Sequence, residues 1–112
     1  MSRRYEVRLT ASADRDLEEL YAYVAQNRSP DEADDLIEAL LDRMATLELY
    51  PDRGSVPAEL AALGEQGFRL ILHLPYRIIY ERAGKIVWIY VAADGRRDMQ
   101  TLLSQRLLSV QG

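Results

Sequence analysis

The apolar residues of this chain change their spacing once, and this change restricts the fold more than any other feature. Between residues 11 and 47 apolar side chains recur every three or four positions, as in helices that bury one face. Between residues 68 and 94 the chain has three short segments rich in β-branched and aromatic residues, which is typical of strands. The order of these two patterns predicts an α+β protein.

Local signals give the predicted boundaries of the first elements. The segment "RRYEVRLT" alternates apolar and charged residues and predicts a first strand, followed by a helix over residues 11–27. In "SPDE", Ser29 is a capping residue, Pro30 takes the first helical position and Glu32 the third, so a second helix begins there. The link is short, and the two helices are therefore expected to form an antiparallel hairpin that ends at "YPDRG".

The second half of the chain predicts the rest of one sheet. Residues 51–66 contain prolines and glycines among polar residues and are predicted to form a loop. The segments "FRLILHL", "YRIIYE" and "KIVWIYVAA" are joined by short turns and predict an antiparallel meander. The third segment is apolar on both alternations, as expected of a central strand, and the first strand is expected beside it. Asp98 then caps a short apolar C-terminal helix. From the chain length, residues 1–112 are expected to form a single domain, in which the first strand and the meander make a four-stranded sheet.

Composition excludes several kinds of site. The 112 residues include no cysteine and a single histidine, His73, so neither a metal site nor a cofactor is expected. No apolar run has the length of a membrane span, and the start "MSRRYEVRLT" lacks the apolar core of a signal peptide. The expected location is the cytoplasm.

Charge is distributed unevenly along the chain. Residues 1–66 hold 7 arginines against 15 acids, a formal −8, whereas residues 67–112 hold 7 basic residues against 3 acids, a formal +4. This asymmetry suggests that one surface meets an acidic partner, either nucleic acid or protein. The alternative is that the acids only solvate the helices.

Three segments together carry a resemblance to a known family. The N-terminal "LTASADRDLEELYAYVAQ", the central "LPYRIIYER" and the closing "VAADGRRDMQTLL" resemble the RelE/ParE superfamily of small bacterial toxins from type II toxin–antitoxin modules of the plasmid-stabilisation type. The resemblance covers nearly the whole chain. It implies the same α+β fold, in which a Tyr-Arg strand is followed by a Gly-Arg-Arg-Asp turn.

One activity of that superfamily is ribosome-dependent cleavage of mRNA by RelE-like members. The resemblance would place Arg69, Arg77 and Arg97 at positions of RelE-like catalytic residues. A further basic residue would fall near Ile71 and a catalytic tyrosine near Leu103, so the set is incomplete. Arginine stays protonated at ordinary pH and transfers protons poorly, so an efficient endoribonuclease is disfavoured and remains the alternative.

The other principal activity is inhibition of DNA gyrase by ParE-like members, which act by binding and are not enzymes in this role. The long helical hairpin resembles ParE, and the first interpretation is therefore a ParE-like toxin. Arg77, Arg96 and Arg97 would belong to its target-binding surface. Alternatively, one arginine of the pair fixes the turn through an ion pair with Asp94 or Asp98.

Other candidate groups have structural explanations that are favoured. His73 stands at the end of a predicted strand, where a solvated turn residue is favoured over a general base. Tyr76, Tyr80 and Tyr90 follow strand periodicity and are predicted to pack the sheet rather than to stack on bases.

The resemblance also implies a cognate antitoxin, whose C-terminal segment would lie in an apolar groove or add a strand to the sheet. The candidate contacts are apolar residues of the hairpin and the last helix: Leu17, Leu20, Tyr21, Leu103 and Leu107. The free protein could cover the same surface as a homodimer. A third interpretation is a non-toxic relative that persists as an antitoxin-binding component.

Overall fold

The computed structural model describes residues 4–61, 67–96 and 98–111, without the side chains of Glu59 and residues 107–111. In chain order the elements are β1 (Glu6–Leu9), α1 (Ala11–Asn27), α2 (Pro30–Ala45), a 3₁₀ turn (Thr46–Glu48), α3 (Ala58–Ala61), β2 (Phe68–His73), β3 (Tyr76–Ala83), β4 (Ile86–Asp94) and α4 (Met99–Gln111). The prediction of a loop throughout residues 51–66 is wrong at α3. Among its described side chains, this single turn buries only that of Leu60, and one buried side chain gives no periodicity to detect.

The helices begin at side-chain caps. The Ser29 hydroxyl accepts a hydrogen bond from the Glu32 amide at 3.1 Å, which confirms the cap predicted for α2. Asp98 accepts from the Thr101 amide at 3.1 Å at the start of α4, as predicted. Thr10 caps α1 in the same way. These contacts are local, because each joins residues three positions apart.

The four strands form one sheet in the order β1-β4-β3-β2. The meander is antiparallel throughout, and β1 runs parallel to β4, with Leu9 opposite Ile89. This confirms the predicted central strand and its neighbour. Because β1 ends at Leu9, residues 90–94 of β4 have no strand beside them on that edge in the part of the chain that the structure describes.

Both faces of the sheet are covered, and each face has its own core. The hairpin of α1 and α2 packs on one face, which we call the hairpin face, with Leu17, Leu40, Met44, Ile78, Tyr80, Val87 and Ile89 among its buried residues. The other face, called the α4 face, buries Leu60, Phe68, Ile79, Val91, Ala93, Met99, Leu102 and Leu103. The fold is therefore a three-layer α+β domain.

A β-bulge at Tyr90 breaks the alternation of β4. Tyr80 pairs with Ile89 and Ile79 with Val91, so Tyr90 has no partner on β3. As a result Val91 packs on the α4 face, although Ile89 packs on the hairpin face. Strict alternation along β4 would place both residues on the same face, so the bulge reverses the alternation beyond residue 89.

The bulge is closed by a buried ion pair between the first and last helices. Asp16 of α1 is 4% exposed, and its carboxylate accepts two hydrogen bonds from Arg106 of α4, at 3.0 and 2.6 Å. Asp16 also accepts from the Ala92 amide at 3.0 Å, and Arg106 donates to the Tyr90 carbonyl at 2.8 Å. The pair thus satisfies two backbone groups on the edge of β4 that β1 does not reach.

Candidate functional site

Two turns meet at one end of the sheet, where β2 joins β3 and where β4 leads into α4. The Gly95 amide donates a hydrogen bond to the Pro75 carbonyl at 2.8 Å, which ties the turns together. A Cβ at Gly95 would lie 3.1 Å from that carbonyl oxygen and 3.0 Å from Arg77 Nε. Glycine therefore allows this close approach. We refer to Pro75, Arg77 and residues 94–96 as the turn site.

Arg96 is fixed within the turn site by Asp94. Its guanidinium donates through Nη2 at 2.6 Å and Nε at 3.0 Å, and its backbone amide donates to the same carboxylate at 2.9 Å. These hydrogen bonds hold the pKa of Asp94 below its ordinary value and raise that of Arg96. The Arg96 side chain is nevertheless 81% exposed, so it remains able to meet a partner. The alternative of a turn-fixing ion pair is thus realised by Arg96 with Asp94.

Arg77 lies on β3 beside the same turn. It pairs with Ala93 across the sheet, and its half-buried side chain crosses the backbone of Gly95. The structure therefore brings Arg77 and Arg96 to the same end of the sheet. Arg97, the third predicted target-binding residue, lies outside the described residues. The target-binding roles of all three residues stay predictions.

A cleft of about 420 Å³ opens between the turn site and the hairpin. Its lining is Tyr23, Val24, Asn27, Arg28, Glu32, Leu36, Pro75, Tyr76 and Arg96. Tyr23 is 66% exposed and is not among the site residues predicted from the sequence. The available signal was its position outside the apolar stripe of α1, because aromatic residues are enriched at protein interfaces relative to the rest of the surface.

Arg69 does not join Arg77. Arg69 pairs with Tyr80 and lies on the hairpin face. Arg77 pairs with Leu72, which is three positions after Arg69 on β2, and an odd separation places Arg77 on the α4 face. The Arg69 guanidinium instead donates to the carbonyls of Asp52 at 3.2 Å and Gly54 at 2.8 Å. The two described members of the RelE-like set are therefore on opposite faces.

Ile71 and Leu103, which stand where a RelE-like nuclease would have a basic residue and a tyrosine, are core residues. Ile71 is 6% exposed and packs on the hairpin face, and Leu103 is 1% exposed and packs on the α4 face. His73 is half-buried at the end of β2, where it pairs with Tyr76. Neither core residue has a proton to transfer.

All three tyrosines confirm the prediction of sheet packing, and Tyr76 packs, partly buried, against the core of the hairpin face. Tyr80 is fully buried, and its hydroxyl accepts from the Gly54 amide at 3.1 Å. Tyr90 packs edge-on against Phe68, with ring centroids 5.3 Å apart, and donates to Glu81 at 3.3 Å. Burial raises the pKa of both phenols, and the Glu81 carboxylate raises that of Tyr90 further.

The predicted antitoxin contacts differ in exposure. Leu17 and Leu103 are core residues, 8% and 1% exposed. Leu20 is half-buried, and Tyr21 is 37% exposed between the two helices of the hairpin, where a hydrogen bond with Asp34 raises the pKa of its hydroxyl. The side chain of Leu107 lies outside the described part of the chain. Of the four described members, Tyr21 offers the most surface to a partner, and the antitoxin roles of this set stay predictions.

Two kinds of feature are absent from the residues that the structure describes. No three or more His, Cys, Asp or Glu side chains converge there as a metal site would require. None of the helices seen there combines the length and apolar character needed to span a membrane.

The fold is that of proteins solved as toxin–antitoxin complexes. The chain is similar to a chain of the chromosomal ParDE system from P. aeruginosa, with a TM-score of 0.67 at 17% identity, over 81% of this chain and 96% of that one. It is also similar to a chain of the RelBE2 complex from Mycobacterium tuberculosis, with a TM-score of 0.60 at 23% identity, over 84% of this chain and 94% of that one. These identities support the fold alone.

The sequence gives the family. The model described as the ParE toxin of the type II toxin–antitoxin system parDE matches residues 7–99. The chain therefore belongs to the ParE toxin family, within the RelE/ParE superfamily that its motifs indicated. No curated protein sequence matches the chain.

Proposed function

We propose that this protein is a ParE-like toxin that inhibits DNA gyrase by binding and that a cognate antitoxin neutralises it. The family match supports the toxin class, and the charge of the C-terminal half supports an acidic target. In this proposal the protein breaks no bond itself. The turn site supplies the contact with gyrase or with the DNA that gyrase holds.

The observation that carries the choice of binding over cleavage is the separation of the basic residues. RNA cleavage needs groups that take a proton from the ribose and return one to the leaving oxygen. Arg69 and Arg77 lie on opposite faces of the sheet, and Ile71 and Leu103 are buried where the missing groups would stand. Among the residues that the structure describes, no proton-transfer groups converge around these arginines, and this arrangement favours recognition.

The geometry of the turn site suits recognition. Asp94 holds the Arg96 guanidinium in place, so little side-chain freedom is lost when a partner binds. An arginine held in this way presents its remaining donors to a carboxylate or phosphate with a fixed direction. Arg77 adds a second cation at the same end of the sheet.

A supercoiling assay with purified, antitoxin-free protein tests the proposal. We expect gyrase to be inhibited and cleaved DNA to accumulate, and we expect Arg96→Ala and Arg97→Ala to weaken both effects. Arg15→Ala serves as a matched control, because Arg15 is an exposed arginine on α1. Full gyrase activity in the presence of folded protein would refute the proposal.

A translation extract run in parallel tests the ribosome-dependent endoribonuclease. Cleavage of mRNA that depends on Arg77 would replace the gyrase proposal by this alternative. Folded protein that inhibits neither gyrase nor translation and does not arrest growth would identify a non-toxic relative.

The proposed antitoxin surface is the exposed apolar part of the hairpin. Tyr21 is 37% and Leu41 is 45% exposed, among many acidic residues of α1 and α2. An amphipathic helix could cover these side chains. The variant Leu41→Asp should lower the affinity for the product of the neighbouring gene, whereas Asp35→Asn, at an exposed position on another side of the same helix, should not. Equal affinities of both variants would show that the antitoxin binds another surface.

A further inference from the structure

The other end of the sheet carries a cluster of arginines that the proposed function does not use. Arg82 Nε lies 3.4 Å and Arg69 Nε 3.9 Å from the same oxygen, Asp52 Oδ1. Arg53 lines the neighbouring cleft together with Asp52. We call these four residues the Asp52 cluster. Three guanidiniums and one carboxylate give it a formal charge of +2 within an acidic protein.

The Asp52 cluster is separate from the turn site. Arg82 and Arg77 both belong to β3 but are five residues apart, which is about 17 Å along a strand. An odd separation also places them on opposite faces, and Arg82 pairs with Val87, a core residue of the hairpin face. A ligand at the Asp52 cluster would therefore not occupy the turn site.

The fold holds the backbone of the cluster rigidly. Ser55 and Leu70 exchange two backbone hydrogen bonds, at 3.1 and 2.7 Å, which fix the segment after Asp52 against β2. A Cβ at Gly54 would lie 2.6 Å from the Leu70 carbonyl oxygen and 2.9 Å from the Tyr80 hydroxyl. This close contact requires glycine, so the backbone beside Asp52 and Arg53 is fixed against β2 before any ligand binds.

The side chain of Asp52 is the most exposed of the three that form these ion pairs. It is 60% exposed, while Arg69 and Arg82 are 36% and 40% exposed. A polar cleft of about 170 Å³, lined by Asp52, Gly67, Arg69 and Arg82, opens beside them. A phosphate accepts hydrogen bonds from two guanidiniums as a carboxylate does, so it could take the place of Asp52.

Aromatic rings lie next to the cations. Tyr5 and Tyr50 line an adjoining cleft of about 410 Å³, which also includes Asp52 and Arg53. Tyr50 is 64% exposed, and the Arg82 guanidinium lies 5.6 Å from the centroid of the Tyr5 ring. Exposed aromatic faces beside arginines are how proteins bind the bases and backbone of a single strand together.

We propose that the Asp52 cluster binds the phosphodiester backbone of a single-stranded nucleic acid, with Tyr50 stacking on a base and Asp52 as the anion that the phosphate displaces. The proposal goes beyond gyrase inhibition and does not depend on it. Bases in a duplex are already stacked, so Tyr50 favours a single strand. An acidic peptide would use the cations but not the ring.

Fluorescence anisotropy with the whole, antitoxin-free chain tests this site. The probes are labelled oligo-dT and oligo-U of about 12 nucleotides, a length within the range that single-strand sites cover. We expect Arg82→Gln to weaken binding by about tenfold, because one charge-assisted contact is lost. Asp52→Asn should tighten binding, since it removes the competing anion. Arg15→Gln, the same charge change on α1, should have little effect.

Further arms separate the ligand classes. Tyr50→Ala should weaken binding of oligo-dT but not of an abasic strand of equal length. The slope of log affinity against log salt should fall by about 0.7 in Arg82→Gln, as expected when one phosphate contact with a single strand is lost. The oligo-dT and oligo-U arms show which sugar is preferred.

The proposal is overturned if Asp52→Asn, shown to be folded by circular dichroism, weakens binding or leaves it unchanged. It is also overturned if a poly-glutamate peptide of equal charge binds as tightly as oligo-dT, since the surface would then only attract acidic chains. Should Asp52→Asn not fold, Arg82→Lys decides. It keeps the charge but loses the fork of donors, so we expect weaker binding, and unchanged binding would refute the site.

Discussion

Two ion pairs with the same shortest distance stand at different depths in this protein. Asp16–Arg106 and Asp94–Arg96 each have a closest nitrogen–oxygen distance of 2.6 Å. The Arg106 side chain is 17% exposed and that of Arg96 is 81% exposed. Removing one partner of a buried pair leaves an unpaired charge out of water, whereas water solvates the remaining partner of an exposed pair. The first pair is therefore expected to hold the fold together, and the second to orient a recognition group.

The largest expected effect comes from breaking the buried pair at Asp16. Asp16→Ala removes the carboxylate that neutralises the Arg106 guanidinium and leaves the Ala92 amide without its acceptor. We expect the free energy of unfolding to fall by about 3–5 kcal/mol, as for other buried pairs that lose one partner. Urea unfolding measures this loss. A loss as small as that in Asp94→Ala would contradict the distinction between the pairs.

A double-mutant cycle should show that the cost lies in the unpaired charge. Arg106→Met keeps an apolar stem but leaves the buried Asp16 carboxylate without its ion-pair partner. We expect Asp16→Ala/Arg106→Met to be more stable than the sum of the single losses predicts, by about 1–3 kcal/mol. Strictly additive losses would show that the two side chains act independently.

The exposed Asp94–Arg96 pair should change the pKa of Asp94 more clearly than it changes the free energy of unfolding. Arg96 lowers the pKa of Asp94 from its ordinary value of 3.8. The stabilisation that this ion pair gives the folded state is therefore fully present at pH values above 3.8. The contribution is lost as the pH falls through the lower pKa of the folded state. NMR titration should place the pKa of Asp94 below 3.8, and Arg96→Gln should return it towards that value. An unchanged pKa in the variant would contradict the pairing.

The smallest expected effect on stability is that of Arg96→Ala. Solvent and salt screen this pair, so the urea midpoint should stay close to that of the unmodified protein. The proposed loss of gyrase inhibition should nevertheless be large. A strongly destabilised Arg96→Ala would assign the turn pair a structural role instead.

The sequence predicted those parts of the molecule that local contacts decide. Ser29 and Asp98 cap their helices through residues three positions away, so their sequence patterns are sufficient. Asp94 and Arg96 are two positions apart, and the sequence accordingly offered this ion pair as one of two roles. The pairing of β1 with β4 is a long-range feature, and the sequence predicted that these strands are neighbours because β4 is apolar on both alternations. Their parallel direction was not predicted.

Other features depend on register and were missed. The bulge at Tyr90 moves Val91 to the other face, because one extra residue reverses the alternation beyond it. The separation of Arg69 from Arg77 depends on the pairing of β2 with β3, which the turn around Pro75 sets. No periodicity in the chain reports such a separation.

The sequence by itself determined the class of fold, the order of its elements, the family and the pair of arginines that follows β4. Only the tertiary structure decided which cations meet, because their faces follow from strand register. It also paired Asp16 with Arg106, 90 residues away, and placed Asp52 between two arginines of different strands. Apolar periodicity depends only on residues that are close together in the sequence, so it can be recognised without the tertiary structure. The partner of a buried charge is fixed only when distant segments pack and exclude water.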